Sequence, residues 1–166
     1  MVQYNRFESL AQFPIVTIIG QSKLKEAKIQ ASQILERLGI TVLGARLFEL
    51  NATEDLRFLL NIKYRKYIFC SDLVVAIVNK DRYIGESTKG EIDYAVLNGI
   101  PCTTLTIREL ETIVDNAEKK VAQDEETMLS VPMPDIHPLT VDKRCKAIFD
   151  NIMANCTLVS SKRQKG

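Results

Sequence analysis

Residues 73–78, Leu-Val-Val-Ala-Ile-Val, form an apolar run between Asp72 and Asn79. A strand with one wet face alternates apolar and polar side chains. A run without that alternation reads as a strand buried on both faces, as in a parallel sheet. Residues 14–19, Pro-Ile-Val-Thr-Ile-Ile, repeat the theme in β-branched form and stop at Gly20. Residues 40–43 and 101–105 supply two further short strands.

Helical spacing fills the gaps between these strands. Leu24, Ala27, Ile34, Leu35 and Leu38 mark a helix over residues 22–38, with Ser22 as N-cap and Gly39 at its end. Thr53 starts a second helix with Glu54 and Asp55 in its first turn, where the helix dipole favours negative charge. A third runs from Ser87 to Asn98 and is closed by Gly99. Two more follow over residues 108–128 and 141–155, separated by a Pro-punctuated loop at 131–138. Strands alternating with helices predict an α/β fold. The expected form is a Rossmann-like or flavodoxin-like parallel sheet of four to five strands, with helices on both faces and right-handed crossovers. One domain over residues 1–158 is expected, with a disordered tail at 159–166.

The chain has 166 residues, enough for one core without staples, and its net charge of +1 advertises neither nucleic acid nor an anionic membrane. No apolar stretch reaches membrane-spanning length, and the first residues lack the charged and apolar pattern of a signal peptide, so secretion is not expected. Cys70, Cys102, Cys145 and Cys156 form no CxxC pair, and His137 is the sole histidine. No metal site and no cofactor are therefore expected, and the cysteines read as buried thiols in a reducing cytoplasm. His137 lies in the Pro-rich loop and is discounted as a catalytic base.

Ligands of open α/β sheets sit at the carboxyl ends of the strands. Three strand ends carry polar groups here. Gly20-Gln21-Ser22 follows the first strand, where Gly20 and Ser22 either line a pocket or only shape and cap the turn. Arg46 and Glu49 follow the second and read as solvated. The third gives Asn79 and then residues 85–91, Gly-Glu-Ser-Thr-Lys-Gly-Glu. With a helix starting at Ser87 or Thr88, Glu91 sits in its first turn on the same face as Ser87. Glu91 could attack or stabilise an electron-poor carbon. It could equally close a capping box with Thr88.

Asp72 with residues 73–76, then Gly90-Glu91-Ile92-Asp93-Tyr94-Ala95 and Gly99-Ile100-Pro101, resembles the nucleoside 2-deoxyribosyltransferase-like superfamily. The likeness spans residues 14–105, and residues 83–88, Tyr-Ile-Gly-Glu-Ser-Thr, look like its uncharacterised branch, with Arg82 in place of a glycine. The resemblance implies that Glu91 is a nucleophile on the anomeric carbon of a nucleoside or nucleoside 5'-monophosphate. The helix N-terminus would keep it ionised. Gly20, Ser22, Asn79, Gly85, Ser87 and Thr88 would then bind substrate. Active members carry further acids where this chain has Gly85 and Tyr64 or Arg65. Asp81 or Glu86 would substitute from the loop, Tyr64 would hydrogen-bond, and Asp72 is expected to act structurally at the start of its strand. The resemblance also implies a small-molecule nucleoside or nucleotide partner and a homo-oligomer. The apolar stripes of the last two helices, outside the likeness, either complete the fold or pair with another subunit. Three readings follow: N-glycosidic cleavage or (deoxy)ribosyl transfer, a nucleotide-binding module without turnover, and TIR-like cleavage of NAD.

Overall fold

The computed structural model of the chain describes residues 13–44, 54–130 and 141–160. In chain order the elements are β1 (Ile15–Gly20), α1 (Lys25–Arg37), β2 (Thr41–Leu43), α2 (Glu54–Phe69), β3 (Leu73–Ile77), α3 (Glu86–Leu97), β4 (Cys102–Leu105), α4 (Ile107–Ser130) and α5 (Val141–Asn155). The described strands form one parallel sheet of four in the order β2-β1-β3-β4. The α/β architecture expected from the sequence is the one observed.

Alternation along the strands splits the core in two. Val16, Ile18, Val75 and Ile77 point to one face, where α1, α4 and α5 cover them with Leu35, Leu110, Val114 and Phe149. Ile19, Val74 and Ala76 point to the other, against Ile68 of α2 and Ile92 and Ala95 of α3. All five residues of β3 are buried, because strands flank it on both sides and helices cover both faces. Thr17 is fully buried on the second face, and a short hydroxyl chain satisfies it. Its Oγ1 lies 2.6 Å from Ser71 Oγ, which donates to the Tyr67 carbonyl at 2.6 Å. The stripes of α4 and α5 are consumed by this core, so they complete the fold.

Two helices end in the same device. Gly39 and Gly99 have positive φ, and the Ile40 and Ile100 amides bond back to the Leu35 and Ala95 carbonyls. This Schellman closure satisfies the last carbonyls and turns the chain directly into the next strand. At the far edge, the chain after α5 lies along β4. The Val159 amide donates to the Cys102 carbonyl at 2.8 Å, and Thr103 Oγ1 donates to the Thr157 carbonyl at 2.9 Å. The expected disordered tail therefore starts too early at 159, since Val159 is held by the edge of the sheet. Residues 161–166 lie outside the described residues.

The strand order sets the place of the site. β1 and β3 are neighbours, yet the chain leaves β1 towards α1 on one face and β3 towards α3 on the other. Their carboxyl ends form the topological switch point, the position at which doubly wound sheets take ligands.

Candidate functional site

α3 begins one residue earlier than the sequence suggests. It starts at Glu86 with Gly85 as N-cap, so Glu91 is in its second turn rather than its first. Thr88, Ile92 and Ala95 then share the sheet-facing stripe and are buried. This corrects two expectations. Thr88 is neither the N-cap nor an open substrate contact, and it makes no capping box with Glu91. A reciprocal pair of that type forms instead at the start of α4, where Thr106 N donates to Glu109 Oε1 at 3.2 Å and Glu109 N donates to Thr106 Oγ1 at 3.1 Å.

Free of capping, Glu91 sits half-buried on the flank of α3, with exposed Ser87 one turn before it hydrogen-bonded to its carboxylate. Burial pushes its carboxyl up from an ordinary 4.5 to about 7, while Lys28, the Ser87 hydrogen bond and Arg65 pull the other way. The expectation that the helix N-terminus keeps Glu91 ionised is overturned. Glu91 lies a full turn too deep for the terminal amides, and loss of water dominates.

The opposing charge comes from α1. Lys28 is only 5% exposed, and its ammonium donates to the Gly20 carbonyl at 3.0 Å, at the end of β1. Burial lowers it to about 8, and the charge of Glu91 opposes that fall. Gly20 permits this approach. A Cβ there would meet the Ile77 carbonyl oxygen at 2.8 Å and Lys28 Cδ at 3.3 Å, at a φ of +153°. From α2, Tyr64 is held protonated, chiefly by burial and then by Glu91. Arg65 lies over the Tyr94 ring at 5.6 Å and also feels Glu91. Cys102 of β4, pushed up to about 12 by burial and then by Glu91, is no nucleophile.

The loops after β1 and β3 touch each other. Gly85 packs on Gln21, where a Cβ would stand 3.3 Å from Nε2, and Lys23 lies over the Tyr83 ring at 6.0 Å. Ser22 is exposed in a 3₁₀ turn, Ser22–Leu24, and does not cap α1, which starts at Lys25. Asn79 is exposed at the end of β3, its carbonyl accepting from Arg82 N at 2.9 Å. Asp81 is spent locally, accepting from Tyr83 N at 3.1 Å, and Glu86 is exposed at the start of α3. Arg82 stands at a φ of +57°, a conformation glycine adopts freely. Its guanidinium offsets the strain by bonding Glu109 Oε1 at 2.6 Å and the Thr104 carbonyl at 2.9 Å.

Asp72 belongs elsewhere. Its Oδ2 accepts from Ile15 N at 2.8 Å, pinning β3 to the start of β1. Five strand residues at ~3.3 Å each put it about 16 Å from Gly20, so it has no accessory role in the site. Arg46, Glu49, Thr53 and His137 lie outside the described residues. Among the described residues no group of three or more His, Cys, Asp or Glu could hold a metal ion, and no helix is long and apolar enough to cross a membrane.

Sequence reasoning passed over Lys28. The signal was present: Leu24, Lys28, Ala31 and Leu35 follow an i, i+4, i+7, i+11 progression, so a lysine interrupts the inward stripe of α1. Fold and site together define a doubly wound α/β protein with a half-buried carboxylate and a buried lysine acting on each other electrostatically at its switch point. No protein-family model, curated protein or solved structure matches the chain.

Proposed function

We propose that this protein cleaves or transfers the N-glycosidic bond of a nucleoside or nucleoside 5'-monophosphate, with Glu91 as nucleophile. The supporting observation is Glu91 itself, a half-buried carboxylate at the switch point, hydrogen-bonded to Ser87 and within the electrostatic reach of Lys28. A carboxylate suits an oxocarbenium-like transition state, and capture of the sugar divides one hard displacement into two easier ones. A Glu91 oxygen bonds the anomeric carbon as the base departs with the glycosidic electron pair and takes a proton from solvent. Water, or a second base, then displaces Glu91 from the sugar. A carboxyl with a pKa of about 7 is more nucleophilic once ionised than an ordinary one. Gly20, Gln21 and Gly85 shape the approach, and Tyr64 offers a hydroxyl.

A second reading, a nucleotide-binding module without turnover, is favoured by one observation. Among the described residues the groups acting on Glu91 include two cations and a serine but no second carboxylate. General acid assistance is commonly worth 10² to 10⁴ in rate, so its loss weighs against turnover. Incubation with nucleosides, nucleoside monophosphates and NAD, followed by chromatography for free base, decides between them. Base release that rises as pH passes about 7 and is abolished in Glu91→Gln supports the glycosidase. Nicotinamide release from NAD alone selects the TIR-like alternative. Thermal stabilisation by a panel member without release selects the binding module.

A further inference from the structure

We propose that Lys28 is the positioning residue of Glu91: anchored on the Gly20 carbonyl at the end of β1, its ammonium is the counter-charge that orients the carboxylate at the switch point. The catalytic consequence rests on the reading of Glu91 as nucleophile; the pairing itself does not.

Geometry carries the inference. A lysine is rarely buried to 5% exposure without a reason, since its ammonium loses most of its hydration. Here the side chain starts on the inward stripe of α1, on one face of the sheet. It ends on a carbonyl at the strand terminus, and its charge acts on a residue of α3, which covers the opposite face. Lys28 thus passes the end of β1 where the two layers separate. Gly20 is the residue type that lets it pass, because its missing Cβ leaves room for Lys28 Cδ. The groups that act with Lys28 on Glu91 are Ser87 from α3 and Arg65 from α2; Tyr64 from α2 and Cys102 from β4 feel its charge without carrying one at neutral pH. Arg65 is exposed, so solvent screens it, and Lys28 is the less screened of the two cations.

The test is NMR titration of the Glu91 carboxyl carbon in ¹³C-glutamate-labelled protein, assigned by its loss in Glu91→Gln. In Lys28→Met, which keeps the side-chain volume and removes the charge, the Glu91 midpoint should rise by about 1–3 pH units. In Lys28→Arg, which keeps the charge, it should stay near the wild-type value. An unmoved midpoint in a natively folded Lys28→Met overturns the pairing. Should that variant not fold, the wild-type Lys28 ammonium nitrogen answers alone: it must show a step at the Glu91 midpoint, and a flat trace through that pH sinks the proposal. If base release occurs, Lys28→Met moves its rising limb to higher pH and lowers kcat at neutral pH more than it alters KM. Coupling seen by NMR without base release from any substrate supports Lys28 as the partner of Glu91 and counts only against the glycosidase.

Discussion

Replacing Glu91 by glutamine tests the electrostatics of the site without any substrate. Each factor of ten in proton affinity corresponds to about 1.4 kcal/mol, so a carboxyl raised from 4.5 to about 7 costs the fold at most roughly 3 kcal/mol when fully ionised. The sign follows from which state holds the proton. Between pH 4.5 and 7 the folded protein binds the Glu91 proton more tightly than the unfolded chain, so stability falls as pH rises through this window. Lys28 adds little slope there. Its folded value, lowered to about 8 from 10.5, makes its cost nearly constant below pH 7.5 and relieves it only at higher pH. Water reaching the half-buried carboxylate reduces the Glu91 cost, leaving about 2 kcal/mol lost by the wild type between pH 5 and 8. Glutamine has nearly the same shape and no proton to lose. Urea denaturation at pH 5, 6, 7 and 8 should therefore show the two proteins similar at pH 5 and the variant ahead by about 2 kcal/mol at pH 8. Parallel stability curves across that range would refute the claim that burial governs Glu91.

Two further substitutions separate the site from its scaffold. Gly20→Ala places a methyl against the Ile77 carbonyl oxygen at 2.8 Å and beside the Lys28 stem, and should cost roughly 1–3 kcal/mol while displacing the Lys28 ammonium. Unchanged thermal stability would show that the end of β1 is not closed as described. Asp72→Ala removes the acceptor of Ile15 N at an exposed position, and should cost about 1 kcal/mol with base release or ligand binding intact. A natively folded Asp72 variant that loses either activity would place Asp72 in the site after all.

The strands and most helices were legible because their signals are local. Residues 73–78 have no polar face to show to water, and β3 is accordingly buried throughout. Gly39 and Gly99 stop their helices because a left-handed residue is needed there and glycine supplies it without strain. The start of α3 was misread for an equally local reason. Ser87 and Thr88 look like caps, but Gly85 occupies the N-cap and contributes no side-chain hydrogen bond, so nothing in the residue type marks it. Moving the N-cap back to Gly85 turned Thr88 into the core and took Glu91 out of reach of the helix terminus.

What adjacency along the chain dictates here is the sheet, its helices, and the presence of a carboxylate beyond β3. Residues 20, 28 and 91 are brought together only when β1 slots in beside β3 and their helices depart to opposite faces. A lysine on a helical stripe reads as a flaw in that stripe until a buried counter-charge is known to wait at the strand end. Proton affinity behaves likewise. It depends on how much water and which charges surround a group, and the charges acting on Glu91, Lys28 and Arg65, come from α1 and α2, segments far from α3 in the chain.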